Sequence, residues 1–274
     1  MLVEPGRHEL ELTEADLRFV VDEVEAGGLD PERLKQLVRS DPSFRDAALA
    51  DGRVFSKAAA SDEELLRISP VLYFGVLLRR AQKDLGQVSH TLERSGADTV
   101  VVFDTDDVSG FLGKPTVTDY LAAMLASFTR VESYVMPVRV RRGTWRRVRF
   151  NDMDIDSLGR LAASVDEEHR FRYFKRIADV CLFILGIFPN SAAQAAQRGM
   201  RPGRRGRRTV EEYAEIGRRH YGTAMEHPTA HAAGMAEPME LLRDNFAVAR
   251  KALNFITEQY LRYSRTQVFD MGIS

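Results

Sequence analysis

The stretch "YFKRIADVCLFILGIFPNS", residues 173–191, decides how the chain must fold. From Phe171 to Phe188 the apolar positions first follow one helical face and then run all round, so the segment predicts a helix that passes from the surface into the centre of a bundle. Pro189 stops it. Asp179 stands at the head of the apolar run Val180–Phe188, and a carboxylate taken out of water at that point needs a partner. Arg176, Arg172 or a tyrosine from another helix can supply one. The helix that begins after Thr209 carries Tyr213, Gly217 and Tyr221, which a spacing of four places on one stripe, and Gly217 lets another helix approach closely. Two readings follow. Asp179 is a structural acid satisfied by these neighbours, or Asp179, Tyr213 and Tyr221, with His220 beside them, line a polar pocket that holds a ligand.

The flanking sequence is helical on similar grounds. Thr13-x-x-Asp16 opens a helix through Leu17, Val20, Val21 and Val24 that ends at Gly27-Gly28. Asp30-Pro31 opens a second, a short helical segment lies near residue 44, and Ser61-Asp-Glu-Glu64 is a capping box. Pro70 begins "VLYFGVLLRRAQKDLG", and further helices are expected over residues 116–133, 154–165, 166–188 and 209–225. Pro238 opens the last and longest helix, whose apolar positions Met239, Leu242, Phe246, Ala249, Leu253, Ile256, Tyr260 and Tyr263 form a seam suited to an intramolecular bundle contact or a dimer contact. Thr99–Phe103 is β-branched and predicts a strand, and "PVRVRRGTWRRVRFND" alternates about Gly143 as a hairpin, Val138–Arg142 with Trp145–Phe150. The sum is a mainly α protein, a multi-helix bundle of roughly nine or ten helices with a small β strand and hairpin element. It reads as a single helical domain over residues 1–274, with a subdivision into 1–150 and 151–274 as the alternative.

Composition sets the class. The 274 residues are 44% hydrophobic and 29% charged with a formal net charge of -1, an ordinary globular balance that gives the whole chain no polyelectrolyte character. A single cysteine, Cys181, rules out an intrachain disulfide framework and suits a reducing compartment; within the apolar run it reads as an inert buried thiol. The first residues lack a basic stretch followed by an apolar one, and Val180–Phe188 is about half a membrane span, so the expectation is a cytoplasmic protein with no membrane contact.

The residues Tyr173, Ile177-Ala178-Asp179, Leu182-Phe183, Gly186 and Phe188-Pro189, followed by Tyr213, Gly217 and Tyr221, resemble the pattern of an uncharacterised family of bacterial helical proteins. That pattern is a tyrosine, a Gly-Asp or Ala-Asp pair, Leu-Phe, a glycine, Phe-Phe or Phe-Pro, and then a tyrosine-glycine-tyrosine helix. "ISPVLYFGVLLRRA" at 68–81 and "DYLAAMLASF" at 119–128 fit the same pattern, so the resemblance spans most of the chain. It implies a cytoplasmic helical protein and no particular activity. Ala178, where glycine is expected, and the arginine-rich loop depart from it.

Several motifs carry potential chemistry. "VVVFDTDDVSG", residues 100–110, resembles the first motif of haloacid-dehalogenase-type phosphatases, with Asp104 as nucleophile and Asp106 as acid; the alternative is a strand leading to a helix cap at Asp106 or Asp107. "DMDIDSLGRLAA", from Asp152, has the first acids of a calcium loop but Ser157 and Ala163 where glycine and glutamate are required, which favours helix capping. His220, His227 and His231, and the pair Asp166-x-x-His169, are candidate metal ligands, set against surface histidines with no such role.

The most pointed feature is arginine. Arg139, Arg141, Arg142, Arg146, Arg147 and Arg149 surround Trp145, and Arg198, Arg201, Arg204, Arg205, Arg207 and Arg208 follow later, with no acid from Val180 to Val210. Guanidinium groups beside an aromatic suit phosphate recognition. The rival is internal or intersubunit pairing with the first thirty residues, which hold nine acids. The leading expectation is therefore a non-catalytic protein that binds a macromolecular partner, a protein or another copy of itself, through its arginine loops and last helix and without a cofactor. The alternatives are a nucleic-acid-binding module using residues 139–149 and 198–208, and a metal- or ligand-dependent helical enzyme around Asp179, Tyr213, Tyr221 and His220.

Overall fold

The computed structural model describes residues 10–24, 30–88, 91–95, 98–102, 104–130, 133–141, 144–189, 208–261 and 268–269. The chain divides into two compact units, one of His8–Ser127 with Lys251–Tyr263, the other of Phe128–Arg250 with Met1–Arg7 and Ser264–Ser274. The second hairpin groups with the helices that follow it. No described helix is long and apolar enough to cross a membrane.

In the N-terminal unit the helices are α1 (Glu14–Glu23), α2 (Pro31–Ser40), α3 (Pro42–Leu49), α4 (Gly52–Ala58), α5 (Asp62–Leu65), α6 (Pro70–Leu85), α7 (Thr105–Leu112) and α8 (Pro115–Ser127). β1 (Thr91–Ser95) and β2 (Asp98–Val102) pair antiparallel ahead of α7. Local chemistry sets the starts. Asp41 caps α3 by accepting from the Ser43 and Phe44 amides, and Asp51 caps α4 through the Arg53 amide. α3 covers the position near residue 44 where the sequence gives a short helical segment, and α4 is a further helix beyond it. The Thr13–Asp16 capping box forms as its spacing predicts, and the buried Asp16 carboxylate also accepts from the Ser69 amide at 2.7 Å, so one side chain serves the N-termini of α1 and α6. α6 is the centre of this unit and packs against α3, α4, α7 and α8. α8 ends at Ser127, earlier than the expected residue 133.

The C-terminal unit begins with β3 (Ser133–Arg141) and β4 (Thr144–Asn151), an antiparallel ribbon of two strands. Its helices are α9 (Ile155–Ser164), a single 3-10 turn (Glu167–His169), α10 (Phe171–Ile187), α11 (Val210–Met225), α12 (Pro228–Ala232), α13 (Ala236–Asp244) and α14 (Phe246–Gln259), the last belonging to this unit through Arg250. α10 packs against α9 and α11, and α11 against α13. The described residues thus hold fourteen α-helices, more than sequence periodicity suggests, because capping residues and one internal break divide longer apolar stretches.

That break is at Asn245. Its side-chain amide donates to the Leu241 carbonyl at 3.0 Å and its backbone sits at φ -113, ψ 34, so the expected single last helix becomes α13 and α14. The seam itself is real: Met239, Leu242, Phe246, Ala249, Leu253 and Ile256 are all buried within the chain. Tyr263, Gly27 and Gly28 lie outside the described residues.

α10 and α11 approach closely at Gly217. A Cβ there would meet Phe246 Cε2 at 2.5 Å and the Cys181 Cβ at 3.2 Å. Phe128 stacks on Phe183 at 4.0 Å between centroids, with the Arg176 guanidinium 3.8 Å above the Phe128 ring. Gly217→Ala should therefore cost about 1–3 kcal/mol by overpacking, read as a fall in the urea midpoint, whereas Gly159→Ala, where nothing lies within 4 Å, should not lower it.

Candidate functional site

Asp179 is 1% exposed. One carboxylate oxygen accepts from the Tyr221 hydroxyl at 2.9 Å and the other from the Lys175 ammonium at 2.6 Å. Lys175 is one turn back on α10, and Tyr221, fully buried, comes from α11. The two arginines that the sequence offers go elsewhere: Arg176 pairs with Asp152, and Arg172 donates to the Tyr173 hydroxyl at 3.0 Å.

Tyr213 and His220 do not join this pair. Tyr213 is half-buried near Cys181 and Arg208, and burial, then the neighbouring Cys181, push its hydroxyl above the usual phenol range. Burial pushes the Cys181 thiol up to about 12, which makes it a packing group. The His220 Nδ1–H donates to the Ile216 carbonyl at 2.8 Å and the ring faces Phe174, 6.1 Å away; burial lowers its pKa below the usual imidazole value.

The other motifs also resolve into local structure. His227 accepts from the Thr229 amide through Nδ1 and meets the Glu167 carbonyl through Nε2, so both ring nitrogens serve the N-terminus of α12 and its neighbour. Asp154 caps α9, Asp152 holds Arg176, and Asp156 accepts from Arg208 at 2.6 Å, which accounts for the acids of the calcium-like stretch. Burial opposes the charge on Arg208, but the bond to Asp156 outweighs it and leaves the pKa above its ordinary value. Asp104 pairs with Lys251, and the strand before it belongs to the two-stranded antiparallel β1–β2 sheet, unlike the parallel sheet that a dehalogenase-type phosphatase requires. Among the described residues no group of three or more His, Cys, Asp or Glu is placed to hold a metal ion.

Sequence reasoning missed a second buried cluster, in the N-terminal unit. Asp119 of α8, 4% exposed, accepts from Arg79 of α6 at 2.8 Å and from Arg45 of α3 at 3.3 Å. Arg79 also pairs with Asp46 and donates to the Gly75 carbonyl at 3.2 Å. Burial pushes the Asp119 carboxyl above the usual range, against the pull of Arg79 and Arg45. A signal was present: Leu72, Val76 and Arg79 occupy one helical stripe, so a cation sits on an apolar face. The acids near the N-terminus also find local cations, Glu14 with Lys35 and Arg39 and Glu23 with Lys57. An open groove of about 660 Å³ beside α4 is lined by Arg53, Lys57 and Arg80, each engaged by Asp51, Glu23 and Asp84 respectively.

The first arginine cluster lies on the β3–β4 ribbon. Its register sets Arg139 opposite Trp145, Pro137 opposite Arg147 and Val135 opposite Arg149, with Val138 opposite Arg146. Opposed residues in an antiparallel pair share a face and the period is two. Arg139, Trp145, Arg147 and Arg149 therefore occupy one face, and Tyr134, Met136, Val138, Arg146, Val148 and Phe150 the other. An irregularity follows at Arg139/Arg141, where Arg141 pairs with Thr144. Arg142, Arg204, Arg205 and Arg207 lie outside the described residues.

If Asp179 is held as a structural acid, Asp179→Ala should lower the unfolding free energy by about 3–5 kcal/mol and Tyr221→Phe by about 1–2 kcal/mol in urea denaturation. For His220, whose folded pKa is depressed from 6.5, the stabilising contribution is present above that value and is lost as pH falls through the folded pKa, because the unfolded chain then binds more protons. His220→Gln should flatten that acid-side decline in melting temperature. No family model matches the chain, and neither a curated protein nor a solved structure matches it.

Proposed function

We propose that this is a non-catalytic cytoplasmic protein that acts by binding a macromolecular partner, with the arginine-bearing face of the β3–β4 ribbon as its contact surface. The observation that carries the reading is the strand register, which collects Arg139, Arg147 and Arg149 around Trp145 on one face of a two-stranded sheet. From Ser133 to Asn151 the chain has six arginines and no acid, so this ribbon contains nothing to neutralise them. The buried acids elsewhere support the same reading, since Asp179, Asp119 and Asp16 are engaged by donors that hold helices together. Arg208 belongs to the second arginine cluster but pairs with Asp156, which makes it an internal anchor. The resemblance to a bacterial helical family fits a protein of this kind.

The test is capture of partners by the tagged full-length chain from cells, with and without nuclease, compared with the Arg139→Gln/Arg147→Gln/Arg149→Gln variant. The expected outcome is a partner lost from the variant while its melting temperature is unchanged. A partner retained at the same level by the variant would remove the ribbon from the proposal.

A further inference from the structure

We infer that the Trp145 face of the ribbon binds single-stranded nucleic acid, an inference that rests on the reading above and names the partner's class. Three features of the backbone and sequence lead there. First, Trp145, Arg147 and Arg149 occupy alternate positions on β4, so successive members of the row are about 6.8 Å apart along the strand. A row with that repeat can follow an extended sugar-phosphate chain, with the aromatic at one end and guanidiniums along it. Second, the register puts Arg139 directly opposite Trp145, and positions opposed in this way have Cβ atoms about 4.5–5.5 Å apart. An aromatic and a guanidinium at opposed positions supply the two kinds of contact a single strand can use, base stacking and paired bonds to phosphate oxygens.

Third, the charge is one-sided. The ribbon's arginines have no carboxylate within Ser133–Asn151, so a polyanion is the complementary ligand. The aromatic at the end of the row chooses between nucleic-acid forms. Single-stranded bases are free to stack on a side chain, which is worth about 1–3 kcal/mol per base, whereas duplex bases are already stacked on each other. A ribbon of two strands also fits a duplex major groove, so duplex binding is the outcome that tells against this inference. Pro137, which has no amide hydrogen to donate, sits on β3 opposite Arg147, a placement suited to a strand at a sheet edge.

Trp145 is the only tryptophan in the chain, so its emission reports on this face alone. The full-length protein is titrated with oligothymidylate and oligouridylate of about 15 nucleotides and with a duplex of the same length, starting near 50 mM salt. Single strands should quench Trp145 emission, with log K falling against log salt at a slope of about -2, the value for three phosphate contacts on a single strand. Arg147→Gln and Arg149→Gln should each reduce that slope by about 0.7. Trp145→Ala should weaken binding about 5- to 150-fold, and Trp145→Phe should recover part of the loss. Absence of quenching by both single strands, or tighter binding to the duplex, would overturn the inference, and the unmodified chain suffices to see either. If neither single strand binds while the triple arginine variant still loses its captured partner, the inference fails and the partner-binding function stands. If the variant also keeps its partner, both fail.

Discussion

A carboxylate withdrawn from water must be met by donors, and the described helices are arranged around three places where this happens. Asp179 brings Tyr221 of α11 onto α10, Asp119 draws Arg79 of α6 and Arg45 of α3 onto α8, and Asp16 collects backbone amides from the starts of α1 and α6. An unmet charge at such sites is costly, so the alternatives in which these helices slide by a turn are disfavoured. Apolar packing supplies most of the stabilisation in each unit, but it is tolerant of small shifts. The polar pairs are directional and select one register.

The same constraint sorts the cations. Arg45, Arg79, Arg176 and Arg208 are each drawn to a specific aspartate, and they act as cross-links between elements. The ribbon differs because its own residues offer no acid. The near-zero net charge of the chain therefore conceals an uneven distribution: acids of the first helices are matched by lysines and arginines of α2 and α4, and the β3–β4 segment has six arginines and no acid in its sequence. That composition is what gives the binding proposal a location.

Much of the helical architecture was legible in local sequence because caps and periodicity are short-range. The capping boxes at Thr13 and Thr209 form as their spacing requires, and the seam from Met239 to Ile256 is buried along its length. The break at Asn245 was not legible, since asparagine is tolerated within helices and interrupts one only when its amide turns back to a carbonyl. The end of α8 at Ser127 was obscured for a related reason: the apolar pattern continues into β3, and a change of period from 3.6 to 2 is hard to locate within a few residues.

Of the candidate site, the sequence by itself determined that Asp179 would be buried, that it needed a donor, and that the Tyr213–Gly217–Tyr221 stripe could deliver one at a point of close helix approach. Those conclusions rest on periodicity and on the desolvation cost of a charge. Only the tertiary structure decided that Tyr221 and Lys175 make the bonds, that Tyr213 lies near Arg208 and Cys181, and that His220 faces Phe174. The choice among donors on one stripe depends on where α10 and α11 cross. That crossing is set by Phe246 and Cys181 fitting against Gly217, contacts between residues far apart in the chain that no local pattern encodes.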